Sequence, residues 1–111
     1  LYDAEAAAPV LDSAAFYADC RNTLTADGCM TVNLFGRCSS FAGSVEKITS
    51  AFGRDAVWAF KPTLEGNTVL LAQRTACRPK THLLAERAGQ IASTWGLPAK
   101  KWLRVFKPVA A

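Results

Sequence analysis

Residues 29–35 (CMTVNLF) form a run of seven without a charge, rich in residues that favour extended backbone, and they lie between two segments of helical periodicity. This feature constrains the fold most. Upstream, Phe16, Tyr17, Cys20 and Leu24 recur at helical spacing, and Asp12-Ser13 offers an N-cap. A helix is therefore predicted over about 13–25, stopped by Asp27-Gly28. Downstream, Phe41, Val45, Ile48 and Phe52 make one apolar stripe, with Ser39 and Ser40 as caps and Gly53 as the stop. A strand so uniformly apolar is expected to be covered on both faces. Strands joined through a helix run parallel, so 29–35 should lie parallel to a strand preceding the first helix. None is legible there, and the chain reads as though it begins in mid-sheet.

Residues 56–61 alternate in polarity, 62–66 form a turn and 67–73 read as another strand, which predicts a hairpin. Leu84, Ala88, Ile91 and Trp95 define a third helix stopped by Gly96. Pro98 opens a last helix with Trp102, Leu103 and Phe106 inward and Lys100, Arg104 and Lys107 outward. The expected fold is α/β: strands 29–35, 56–61 and 67–73 with helices on both faces. At 111 residues the chain makes one domain.

No apolar run reaches the ~18 residues of a membrane span, and residues 1–8 lack the features of a secretion signal. A soluble cytoplasmic chain follows, with no membrane partner. The four cysteines form no CxxC pair and His82 is the single histidine, so free thiols are expected and no metal. The net charge of +4 is unevenly spread. Residues 1–73 hold five basic and eight acidic residues, and 74–111 hold eight basic ones against Glu86 alone. With Trp102 and Phe106 turned inward, the basic tail reads as a solvated helix face, and no nucleic-acid partner is expected. Trp58, Trp95 and Trp102 read as core.

Several of these residues carry a resemblance. Leu1-Tyr2-Asp3-Ala4, Phe16-Tyr17, Cys20-Arg21, Leu24-Thr25-Ala26-Asp27-Gly28, Val32-Asn33-Leu34-Phe35 and Glu65-Gly66-Asn67-Thr68-Val69 occur in that order. The set resembles the spermidine synthase-like family over roughly residues 1–73. The resemblance implies a Rossmann-like sheet of the class I methyltransferase type, whose seventh strand is antiparallel between the fifth and the sixth. Residues 29–35, 56–61 and 67–73 would supply the fifth, sixth and seventh. The family's glycine-rich cofactor loop precedes the fourth strand, so cofactor-binding residues would lie upstream of Leu1. The chain would be the carboxy-terminal half of a larger catalytic domain, inactive alone.

The same resemblance implies aminopropyl transfer from decarboxylated S-adenosylmethionine to a diamine such as putrescine. The attacking amine must be neutral, which calls for a carboxylate that accepts its proton. Asp3 matches the second aspartate of the family's acidic pair and is the catalytic candidate; Tyr2 and Asn33 are the substrate-binding candidates. Glu5, Asp12, Asp19 and Asp27 would add negative charge near a site for a dication. A methyltransferase on the same sheet and a non-catalytic dimerisation module are the alternative readings. Without its fourth strand, 29–35 would have a bare edge, to be covered by residues 1–8 or by a second copy in a homodimer.

Overall fold

The structure is a computed structural model that describes residues 12–35, 39–64 and 66–109. Ser13 begins the first helix. Its backbone is extended and its Oγ accepts the Phe16 N–H at 3.0 Å, satisfying one of the donors that a helix leaves open at its start. Helix α1 is Ala14–Thr23, strand β1 is Cys29–Phe35 and helix α2 is Ser39–Phe52. The Gly53 N–H closes α2 on the Thr49 carbonyl at 2.8 Å, and its φ of 92° turns the chain out of the helix. Strands β2, Val57–Phe60, and β3, Asn67–Gln73, follow. Helix α3, Thr81–Trp95, ends on left-handed Gly96, and helix α4 is the short Ala99–Trp102.

The chain then departs from expectation. Helix α4 stops at Trp102, and Phe106–Pro108 form a fourth strand, β4, instead of continuing as helix. The reason is local. A residue before proline is pushed away from helical backbone, which disfavours helix at Lys107, and proline is tolerated on a sheet edge. Strand β2 had an open edge to offer. Phe106 pairs with Phe60, Lys107 with Ala59 and Pro108 with Trp58. The Phe106 ring stacks on Trp58 at 4.8 Å.

The sheet order is β1-β3-β2-β4, with every neighbouring pair antiparallel. Strand β3 thus lies between β1 and β2, which run in the same direction. The expected hairpin is present as β2 and β3, with Trp58 opposite Leu71. The fold is a mixed α/β domain on a four-stranded antiparallel sheet.

Helices α1 and α2 cover one face. Tyr17, Ile48 and Phe52 pack there against Val57, Leu70 and Ala72, with Met30, Val32 and Leu34 at the margin. The other face carries Trp58, Phe60 and Phe106 toward α3 and α4, whose small Ala88 and Ala99 are buried. Strand β1 is not covered on both faces as its composition suggested. Met30, Val32 and Leu34 face the core while Cys29, Thr31, Asn33 and Phe35 are exposed. Composition reports what a strand can bury; the elements packed on it decide what it does bury. No helix among the described residues is long and apolar enough to cross a membrane.

Candidate functional site

Tyr2 and Asp3 lie outside the described residues, as do Glu5 and the segment 1–8 proposed to cover the bare edge. Asn33 is two residues before the carboxyl end of β1, on its exposed face and directly opposite Val69. Phe35, next on that face, is 54% exposed and lies opposite Asn67, the first residue of β3. Residues directly opposite across an antiparallel pair share a face. Asn33, Phe35 and Asn67 therefore meet at one corner of the sheet, where β1 ends and β3 begins.

Asn67 is the residue of this corner that sequence reasoning passed over as a site. Its backbone is tied into the turn: its N–H donates to Thr63 Oγ1 at 3.1 Å and its carbonyl accepts the Thr63 N–H at 2.8 Å. Its side-chain Oδ1 is buried without a hydrogen-bond partner. A buried amide oxygen left unpaired costs about 1–3 kcal/mol. The signal in the sequence is the Gly66-Asn67 pair, which marks the opening of strand 67–73 and part of the resemblance but not a site. Gly66, with φ of 91°, makes that turn possible.

Asp12 is not a charge waiting at a mouth. Its Oδ1 accepts the Tyr17 hydroxyl at 2.7 Å, and its Oδ2 accepts the Ser44 hydroxyl at 2.8 Å and Lys47 Nζ at 3.4 Å. Lys47 Nζ also donates to the Asp12 carbonyl at 2.8 Å. Burial pushes the Asp12 carboxyl up, but the hydrogen bonds from Tyr17 and Ser44 and the Lys47 charge outweigh it and hold it below its ordinary 3.8. Burial, then the Asp12 carboxylate and finally Cys20, raise the Tyr17 phenol above its ordinary 10.0. This cluster fastens the start of α1 to α2. Asp19 and Asp27 are exposed.

Two basic residues of the tail are structural. Arg74 Nη1 donates to the carbonyls of Arg21, Asn22 and Leu24, capping the end of α1, and Arg21 Nη2 returns a bond to the Arg74 carbonyl at 3.3 Å. Arg78 pairs with Asp55 at 3.6 Å. On β2, Trp58 is 5% exposed and its Nε1 has no hydrogen-bond partner among the described residues. His82 is exposed in the first turn of α3. Cys20, Cys29 and Cys77 carry free thiols. Among the described residues no three His, Cys, Asp or Glu side chains converge to hold a metal.

No family model, no curated protein and no solved structure matches this chain.

Proposed function

We propose that the chain is the acceptor-side half of a transferase that moves an aminopropyl group from decarboxylated S-adenosylmethionine to a diamine, on a Rossmann-like sheet of the class I methyltransferase type. One observation carries the reading. Strand β3 runs antiparallel between β1 and β2, two strands that are mutually parallel and joined through α2. An inserted antiparallel strand at this place is what the resemblance implied for 67–73, and a simple meander would have set 67–73 at the margin. Among the described residues no strand lies on the outer side of β1, which fits a sheet that continues beyond Cys29–Phe35.

The chemistry is a displacement. The lone pair of a neutral amine nitrogen forms a bond to the methylene beside the sulfonium, and the carbon–sulfur bond breaks to leave a neutral thioether. The amine's surplus proton goes to a carboxylate, the role proposed for Asp3. The amide oxygen of Asn33 suits the distal ammonium of the diamine, which is purely a donor. Tyr2, beside Asp3, would line the methylene chain. The nucleoside would be gripped by residues upstream of Leu1, and the reading makes the working unit a dimer in the cytoplasm.

The test uses the full-length gene product. Supplied with decarboxylated S-adenosylmethionine and putrescine, it should yield spermidine and 5′-methylthioadenosine in equal amounts, and Asp3→Asn should abolish both. Methylated product from S-adenosylmethionine would replace this reading with a methyltransferase. Binding of neither sulfonium compound would leave an interaction module.

A further inference from the structure

Two tryptophans that helical spacing assigned to the core reach the surface. Trp95, at the end of α3, is 72% exposed, and Trp102, at the end of α4, is 41% exposed. Trp102 borders a recess of about 210 Å³ between the helices and the sheet. The tilted rings of Phe60 and Phe106, 4.6 Å apart, form its sheet side. Leu84 and Ile91 come from α3, Trp102 from α4 and Leu103 from the turn after it. Strands β2 and β4 and helices α3 and α4 thus all bound this space, and its lining is almost wholly apolar.

Small residues fill the buried positions here. Ala88 of α3 and Ala99 of α4 are buried, while Leu84, Ile91 and Leu103 are only half-buried. The larger side chains stand around the recess instead of filling it, and keep apolar surface in water that a guest of the right shape would remove. Arg87 also borders the recess. The lining carries almost no polar surface and Arg87 is exposed, so its methylene stem walls the recess and its guanidinium stands out at the mouth. Arg87 takes part in no ion pair among the described residues.

We propose that this recess binds a carboxylic acid built on one aromatic ring, with the ring among Phe60, Phe106 and Trp102 and the carboxylate on Arg87. The volume suits such a guest. An apolar cavity of about 150 Å³ holds one benzene, so about 210 Å³ takes a ring with a short arm. Aromatic walls favour a flat partner, packed offset or edge to face. A rigid ring also loses less conformational freedom on binding than an alkyl chain of equal apolar area. A planar guanidinium meets a carboxylate through two parallel hydrogen bonds, which selects the acid over a neutral ring. The site is separate from the corner of β1 and β3 and does not depend on the transferase reading.

The experiment titrates the 111-residue chain with phenylacetate and follows nitrogen–proton correlation spectra. A Kd of roughly 0.1–1 mM is expected for a ligand of about ten non-hydrogen atoms. The shifts should centre on Leu84, Ala88, Ile91 and Leu103. Acetate, which lacks the ring, and phenylacetamide, which lacks the charge, should each bind roughly threefold to tenfold more weakly or not at all. Arg87→Gln, on an exposed position, should lower phenylacetate to the affinity of phenylacetamide and leave phenylacetamide unchanged. Arg87→Lys should restore part of the difference. Shifts centred elsewhere, equal affinity of the wild type and Arg87→Gln for phenylacetate, or no binding at about 10 mM would overturn the proposal. So would a concentration-dependent dimer that buries these same residues, since a second copy would then fill the recess.

Discussion

Tyr17 donates its hydroxyl hydrogen to Asp12 Oδ1 at 2.7 Å, joining a ring buried in the core to a carboxylate at the surface. Because the folded Asp12 carboxyl titrates below its ordinary 3.8, its contribution is complete above that range and is lost as pH falls through it. The Tyr17 phenol titrates above its ordinary 10.0, so stability also falls once pH passes 10 and only the unfolded chain ionises. Asp12→Asn should cost about 1–2 kcal/mol at neutral pH and remove most of the acid limb. Tyr17→Phe should remove the alkaline limb. Urea denaturation followed across pH 3–11 checks both signs.

Arg74 should behave as a cap instead of a free charge. Arg74→Ala leaves the carbonyls of Arg21, Asn22 and Leu24 without their donor, and a loss of about 1–2 kcal/mol is expected. Arg74→Lys should recover part of it, because all three bonds come from the single Nη1 and an ammonium also brings three hydrogens, on a differently shaped stem. Equal stability of the alanine and lysine variants in thermal denaturation would contradict this.

Two glycines in and beside α2 should respond oppositely to alanine. Gly43 sits inside the helix with no atom within 4 Å of an added Cβ, so Gly43→Ala should stabilise by about 0.5–1 kcal/mol. Gly53 has equally open space but a φ of 92°, so Gly53→Ala should destabilise by about 1 kcal/mol or more. A shared direction of change in chemical denaturation would show that space, not backbone conformation, governs both sites.

Among the described residues no strand pairs with the outer edge of β1, and the strand carries no charged residue. Such an edge is a template for another strand. The 111-residue chain should therefore associate with rising concentration in sedimentation velocity. Thr31→Lys, on the exposed face, should shift it toward monomer while leaving the melting temperature within a degree or two, since exposed substitutions change stability little.

Leu70→Ala tests the layer beneath. Leu70 is 1% exposed in the middle of the central strand, and its truncation should cost about 2–5 kcal/mol in denaturant unfolding. A smaller cost would mean that α1 and α2 settle into the space.

Much of this architecture was legible because it rests on local rules. The Ser13 cap, the stops at Gly53 and Gly96 and the register-setting turn at Gly66 depend on hydrogen bonds and backbone conformations that a few neighbouring residues settle. The apolar face of α2 follows from helical periodicity, and the strand at 67–73 from its β-favouring residues after a turn. The α/β class and the hairpin came from those signals alone.

What remained hidden depends on which surfaces meet. Residues 106–108 had helical spacing, but the open edge of β2 and the proline after Lys107 made them a strand. Trp95 and Trp102 satisfied the helical stripe, yet α3 and α4 end before anything covers those rings. Periodicity says which side of a helix is apolar; it does not say that a neighbour is there to meet it. The unpaired Oδ1 of Asn67 is likewise invisible in sequence, since an amide's satisfaction depends on contacts made across the sheet. Local chemistry thus determined the elements, and only their packing determined which groups were left exposed or unpaired.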